Sequence, residues 1–138
     1  MKIRKIIFAM VVFCAFSALS ACALRGRDVV LVDAKMVTAV DESLLPVKIT
    51  DTFPKDTTKV SCWIKWRNSK INAQIFAKWH YVTDDIHILN YSFTIPKKEG
   101  AGSVTLSMPE GKRLPSGNYK VDLVSNNRVL KSLTFKIE

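Results

Sequence analysis

The chain has 138 residues, of which 48% are hydrophobic and 24% charged, and this length suits one domain of ordinary size. Its 21 basic and 12 acidic side chains give a formal net charge of +9, which favours polyanions and anionic membranes as partners. A solvated basic surface without a ligand accounts for the charge equally well. No internal repeat or low-complexity segment follows the first 21 residues, which excludes a repeat architecture.

The first 22 residues, MKIRKIIFAMVVFCAFSALSAC, have the pattern of a secretory signal peptide. A short basic start precedes an almost wholly apolar run from Ile6 to Leu19, and small residues then lead into Cys22. This run is shorter than the roughly 20 residues that span a bilayer comfortably. A helical signal peptide is therefore predicted, with a single membrane-anchor helix as the alternative.

The residues Leu19-Ser20-Ala21-Cys22 resemble the lipobox of bacterial lipoproteins, in which a Leu and two small residues precede an invariant cysteine. The resemblance implies cleavage before Cys22, a diacylglycerol on its thiol and a further acyl chain on the new amino group. Two or three acyl chains hold a protein stably, whereas one does not. Ala23 stands where an Asp would imply retention in the inner membrane, so the resemblance implies the periplasmic side of the outer membrane in a Gram-negative host.

This processing divides the chain into a signal peptide at 1–21, a lipidated cysteine with a short tether at 22–28, and a domain at 29–138. The six residues after Cys22 reach roughly 20 Å when extended, so we expect the domain to lie close to its membrane. Loss of the signal peptide discards Cys14 and lowers the net charge from +9 to +6, because it removes three basic and no acidic side chains. Cys62 is then the one unmodified thiol, and no intramolecular disulfide is expected.

From Val29 onward the apolar residues recur with a period of two, which is typical of half-buried β-strands. KMVTAV and PVKIT are the first predicted strands, and KVSCWIKWR and INAQIFAKWHYV follow with clearer alternation. The apolar face of KVSCWIKWR carries Val60, Cys62, Ile64 and Trp66. The apolar face of INAQIFAKWHYV carries Ile71, Ala73, Ile75, Ala77, Trp79 and Tyr81. The NSK segment between these two strands predicts a hairpin that turns at Asn68-Ser69.

Four further strands are predicted at similar spacing: IHILNYSFTI, SVTLSM, NYKVDLV and RVLKSLTFKI. The alternation slips near Ile88 and Leu89 in the first of them, which indicates a β-bulge. Asn126-Asn127 suits a tight hairpin between the last two, because Asn tolerates positive φ angles. No convincing amphipathic helix follows the signal peptide. Many short strands separated by turn signals predict an antiparallel sandwich.

The segment LPSGNYKVDL sharpens this prediction, because a Pro-x-Gly turn precedes Tyr119 and an alternating strand. It resembles the corner that leads into the penultimate strand of immunoglobulin-like and fibronectin-like sandwiches, where the tyrosine hydroxyl bonds to nearby backbone. The resemblance implies an all-β, antiparallel sandwich of about seven or eight strands. The paired cysteines of antibody domains are absent. Lipoproteins of this architecture include assembly factors of secretion systems and pili, although no motif ties the chain to one of them.

Few residues indicate catalysis or metal binding. Cys62 shares the apolar face of its strand, which favours a small buried side chain over a reactive thiol. His80 and His87 flank YVTDD, and a hairpin there would bring them near Asp84 and Asp85, a set that could bind zinc. A solvated hairpin end explains the same residues, so we expect neither an enzyme nor a cofactor.

The outward face of the hairpin predicted between KVSCWIKWR and INAQIFAKWHYV is the best candidate site. In that register Trp63 and Phe76 are diagonal neighbours across two paired strands. The cations around them are Lys59, Lys65, Arg67, Lys78 and His80. Aromatic rings among cations favour an anionic glycan, a lipid headgroup or an acidic protein surface. In the alternative interpretation, residues 29–50 fold over both rings and make a second small core.

These observations predict a lipoprotein of the cell envelope that acts as a non-catalytic binding or assembly accessory factor. Its expected partners are the membrane, through the lipid on Cys22, and an envelope protein or anionic envelope component. Nucleic acid is not expected as a partner, because the protein is exported. The alternatives are a small periplasmic metal-binding protein or enzyme that uses His80 and His87, and a purely structural envelope lipoprotein.

Overall fold

The computed structural model of the protein describes residues 28–138. The predicted signal peptide with Cys14, the predicted lipidation site Cys22 and the predicted tether up to residue 27 lie outside the described residues. Within them, a single turn of 3-10 helix occurs at Pro109–Gly111, and no helix is long and apolar enough to cross a membrane. The strands are β1 (Val30–Val40), β2 (Pro46–Ile49), β3 (Thr52–Phe53), β4 (Lys59–Arg67), β5 (Gln74–Tyr81), β6 (Ile86–Thr94), β7 (Gly100–Ser107), β8 (Gly117–Ser125) and β9 (Arg128–Ile137).

The strands form two sheets that share one core. One sheet has the order β2-β1-β4-β7, and the other has the order β3-β9-β8-β5-β6. Neighbouring strands are antiparallel except for β3, which pairs in parallel with β9. The predicted all-β sandwich is therefore confirmed. The strand that was not predicted is β3, because two residues are too few to show an alternating pattern.

The core lies between the inward faces of β4, β5, β8 and β9. Val60, Cys62 and Ile64 of β4 are fully buried, as are Ile75 and Trp79 of β5. Burial of one such aliphatic or aromatic side chain contributes on the order of 1.5–3 kcal/mol. The packed faces of β4 and β5 are thus the faces that alternation predicted, and the predicted burial of Cys62 is confirmed. The prediction is wrong for Ile71, which precedes β5 and is 48% exposed.

The prediction of a hairpin between β4 and β5 is wrong. These strands belong to different sheets, and residues 68–73 cross from one sheet to the other. Hydrogen bonds to distant backbone groups hold this connection: Ser69 N–H donates to the carbonyl of Lys98 at 2.9 Å, and Asn72 N–H donates to that of Ile95 at 2.9 Å. Alternation reports which face of a strand is packed, and two strands that face each other across a core alternate just as two paired strands do.

Two local predictions, a β-bulge and a tight hairpin, are confirmed. In β6, Leu89 pairs with Trp79 and His87 pairs with His80, so Ile88 is the extra residue of a bulge. Asn126 and Asn127 adopt φ angles of 51° and 60° and connect β8 to β9 as a tight hairpin.

The tyrosine corner is present at the start of β8. The hydroxyl of Tyr119 donates a hydrogen bond to the carbonyl of Pro115, four residues upstream. Its ring stacks on Phe135 of β9, with centroids 5.0 Å apart and planes inclined by 12°. Burial, and secondarily the neighbouring Tyr81, raises the pKa of Tyr119 to about 12, so the hydroxyl keeps the proton that it donates.

Candidate functional site

Trp63 points away from the main core, yet it is only 7% exposed. The turn between β1 and β2 lies over it, and its indole Nε1 donates to the carbonyl of Leu44 at 2.8 Å. Val37 and Ser61 pair on the same outward face and are buried as well. The alternative interpretation, in which residues 29–50 cover both rings, is therefore confirmed for Trp63, which forms a second small core, and is wrong for Phe76.

Phe76 lies on the other sheet, where β5 pairs it with Val124 of β8 and Ser92 of β6. Its ring is 37% exposed. The outward faces of the two sheets point in opposite directions, so the predicted contact between Trp63 and Phe76 is wrong. The predicted cations are separated in the same way: Lys59, Lys65 and Arg67 accompany Trp63, whereas Lys78 and His80 accompany Phe76.

His80 and His87 do share a face, because they are directly paired across β5 and β6. The Nε2 atom of His80 donates to Asp85 Oδ1 at 2.9 Å. The side chain of Asp85 is 94% exposed, so this contact is a solvated pair at a hairpin end. Among residues 28–138, no three His, Cys, Asp or Glu side chains are grouped so that they could hold a metal ion.

Cys62 is the one free thiol in the described part of the chain, and it is fully buried. Burial raises its pKa to about 12, and the positive charge of Lys131 offsets this only in part. A thiol with so high a pKa is neither nucleophilic nor a good metal ligand at neutral pH.

One end of the sandwich, which we call the Asp28 end, gathers three loops around the first described residue. The β4–β5 loop is held there because Lys70 N–H donates to the carbonyl of Asp28 at 2.6 Å. The β8–β9 hairpin joins it because Asn126 Nδ2 donates to Asp28 Oδ2 at 2.9 Å. The β6–β7 loop completes the end, since Trp66 Nε1 donates to the carbonyl of Lys97 at 2.9 Å.

The Asp28 end is basic. It exposes five cationic side chains, none of which forms an ion pair with another described residue: Arg67, Lys70, Lys97, Lys98 and Arg128. The acidic residues there are Asp28 and Glu99. The opposite end has the reverse excess: its loops and the terminal residue carry five carboxylates against the cations Lys55, Lys112 and Arg113. These carboxylates are Asp56, Asp84, Asp85, Glu110 and Glu138. The charge of the domain is therefore polarised along its long axis.

Apolar side chains lie among the cations of the Asp28 end. Phe76, Val124 and Val129 form a row across β5, β8 and β9, and Val129 is 60% exposed. Ile71, which is 48% exposed, lines a shallow depression together with Phe76 and Lys70. This apolar patch, defined by Ile71, Phe76 and Val129, is bordered by positive charge.

A second exposed feature is the side of the sandwich where β6 and β7 are the last strands of their sheets. We call it the open side. Phe93 of β6 bridges the sheets here, because its ring contacts Trp66 and lies so close to Gly102 that a Cβ atom there would be 2.8 Å from it. Farther along β6, Leu89 and Tyr91 also point inward, yet they are 38% and 48% exposed because no strand covers them.

Neither strand of the open side contains Lys, Arg, Asp or Glu; their sequences are IHILNYSFT and GAGSVTLS. Charged residues, prolines and short lengths are the usual protection of sheet edges against pairing. The other two edges have such protection: β2 is four residues long and contains Pro46 and Lys48, and β3 has two residues.

Sequence reasoning missed both surfaces. It assigned Trp63 and Phe76 to one hairpin and did not consider which loops lie at which end of the sandwich. Successive antiparallel strands place alternate loops at one end, so the basic segments NSK, PKKEG and NNR could have been grouped by counting strands.

No protein-family model matches the chain, and no curated protein matches it. The crystal structure of an immunoglobulin-like protein from Pseudomonas aeruginosa is similar, with a TM-score of 0.51 and 9% identity over 82% of this chain and 100% of that chain. An alkylpurine DNA glycosylase from Pseudomonas fluorescens, bound to DNA, gives a TM-score of 0.35 and 9% identity over 76% of this chain and 30% of that one, a likeness too low to carry a conclusion. At this identity the first similarity concerns architecture alone, and the described domain has an immunoglobulin-like β-sandwich fold.

Proposed function

We propose that the protein is a lipid-anchored accessory factor of the cell envelope that binds a partner protein without catalysis. The lipobox-like Leu19-Ser20-Ala21-Cys22 supports the anchor. The open side of the sandwich supports the binding role, and it is the observation that carries this proposal.

The open side suits an extended segment of the partner. An edge strand offers a row of unpaired backbone N–H and C=O groups, to which another strand adds by β-augmentation. The six residues of β6 that follow its bulge, Leu89–Thr94, keep a regular register with β5 and so present a regular edge. Uncovered Leu89 and Tyr91 provide the apolar contacts that an added strand with alternating side chains would bury.

A large uncharged edge on an otherwise highly charged domain also argues for a covered surface. An exposed edge strand without charged residues can pair with the edge of another molecule, and this pairing leads to aggregation. Binding of a partner strand along β6 removes this hazard and gives the domain a specific task.

Photocrosslinking in intact cells tests the binding role. A photoreactive amino acid replaces Leu89 on β6 or, as a matched control, Ile49 on the β2 edge, where the side chain is 55% exposed. We expect one discrete adduct at position 89 and none at position 49. Mass spectrometry of the adduct is expected to locate the crosslink in an extended, alternating apolar segment of the partner.

Two charge substitutions sharpen the same test. Tyr91→Lys places a charge on the open side and is expected to abolish the adduct at position 89, whereas Ile49→Lys is expected to leave it unchanged. Equal crosslinking at positions 89 and 49, or an adduct that persists in Tyr91→Lys, would contradict binding at the open side.

A further inference from the structure

We propose that the Asp28 end of the domain lies against the anionic lipid headgroups of the membrane. The proposal rests on the lipid attachment at Cys22, because that attachment brings the domain to a bilayer. It adds an orientation and a second contact surface, which are independent of the open side.

The length of the connection limits how far the Asp28 end can move from the membrane. From Cys22 to Asp28 the chain spans six residues, which reach roughly 20 Å at most. Strand β1 alone has 11 residues and extends about 35 Å at 3.3 Å per residue. The tether is shorter than the sandwich, so the domain cannot stand on its far end while Asp28 stays connected to Cys22 at the membrane.

The charge of the Asp28 end fits an anionic surface. Its five exposed cations outnumber Asp28 and Glu99, and attraction to anionic headgroups acts within a Debye length, about 10 Å at 0.1 M salt. The carboxylates at the opposite end are repelled by the same surface. Both effects turn the domain so that the Asp28 end faces the lipid.

The apolar patch fits the boundary between headgroups and acyl chains. Two of the exposed side chains of the apolar patch have Lys70 and Arg128 as neighbours in the chain. Apolar side chains and cations can therefore contact the same lipid surface. Interfacial segments of peripheral membrane proteins combine these two features. An anionic lipid surface would bury the apolar patch among acyl chains and pair the surrounding cations with headgroups.

Site-specific labelling tests the contact. Ile71→Cys places a thiol in the patch, and Val82→Cys places a matched one at the opposite end, where the native side chain is 46% exposed. Cys62 is buried and protonated, so a thiol-reactive fluorophore labels only the introduced cysteine of the folded protein. The full mature chain, purified from membranes, is reconstituted into phosphatidylcholine vesicles with or without phosphatidylglycerol.

We expect a headgroup-attached quencher to reduce the fluorescence at position 71 several-fold more than at position 82. The difference is expected only with phosphatidylglycerol, and to shrink as salt shortens the Debye length to about 3 Å at 1 M. Lys97→Glu with Lys98→Glu should remove it while the protein stays in the vesicles. Lys55→Glu with Lys112→Glu, the same change of charge at the far end, should leave it intact.

Equal quenching at positions 71 and 82 in phosphatidylglycerol vesicles would overturn the proposed orientation. The parent chain without an introduced cysteine separates this failure from failure of the lipid anchor. If Cys22 carries lipid, the parent takes up no dye. Uptake of dye by the folded parent would reveal a free Cys22 thiol and overturn the attachment itself.

Discussion

The burial and protonation state of Cys62 follow from its position in the alternating pattern of β4. Its place on the alternating face of β4 predicted a buried side chain, and the structure places it in the core with no exposed surface. Burial disfavours the thiolate and raises the pKa of Cys62 from 9.0 to about 12. The residue therefore acts as a small apolar side chain at neutral pH.

This raised pKa predicts a loss of stability at alkaline pH. The unfolded thiol deprotonates above pH 9 while the folded thiol holds its proton to about 12, so the stabilising contribution is complete below pH 9 and is lost as pH rises through 12. Within this window the free energy of unfolding of the native protein should fall more steeply than that of Cys62→Ala, by up to about 1.4 kcal/mol per pH unit. Urea denaturation across the window measures both slopes, and equal slopes would contradict the account.

Trp63 shows the limit of reasoning from single residues. Its outward parity left two interpretations open, an exposed ring or a ring covered by residues 29–50, and in the structure the turn at residues 41–45 folds back and covers it. Nothing in the alternation of β4 reports the path of a loop about 20 residues earlier in the chain. The local sequence pattern determines the face of the strand on which a side chain lies, whereas long-range packing determines whether that face is exposed to solvent.

At the scale of elements, the strands and turns were predictable because they depend on neighbours in sequence. The bulge at Ile88, the Asn126-Asn127 hairpin and the Tyr119 corner all have local causes. The pairing of β4 with β1 and β7, rather than with β5, was not predictable in this way. A connection of six residues permits either a hairpin or a crossing between sheets, and the predicted aromatic site depended on that choice.

Because Trp63 is covered and Phe76 is partly exposed on the other sheet, replacing them is expected to have unequal effects on stability. Trp63→Ser empties the small core under the β1–β2 turn and removes the donor to Leu44, so we expect a loss of about 3–5 kcal/mol in the free energy of unfolding. Phe76→Ser removes a partly exposed ring outside that core, and we expect a loss of about 1 kcal/mol or less. Chemical denaturation compares them. A loss for Phe76→Ser that equals the loss for Trp63→Ser would show that the two rings have been assigned the wrong roles.

At the scale of the whole molecule, the domain has three distinct surfaces: a basic Asp28 end, an acidic opposite end and an uncharged open side. Composition predicted a basic protein, and the net charge hides this polarity because cations are in excess at the Asp28 end and carboxylates are in excess at the opposite end. The surfaces arise from the order of strands in the two sheets, which determines both the loops that share an end and the strands that remain edges. The fold class was therefore predictable from the sequence, and the basic loops of the Asp28 end could have been grouped by counting strands. The open side was not predictable, because it depends on the order of strands within each sheet.

The attachment of lipid at Cys22 is the central claim, since it accounts for the address of the protein and for the orientation of its domain. The most direct measurement is the intact mass of the protein purified from cells, compared with that of Cys22→Ser. We predict that the native protein lacks residues 1–21, carries a diacylglycerol and a further acyl chain on Cys22, and fractionates with membranes, whereas Cys22→Ser carries no lipid. A native chain that keeps residues 1–21, or a Cys22→Ser protein that stays membrane-bound with its signal uncut, would contradict the claim.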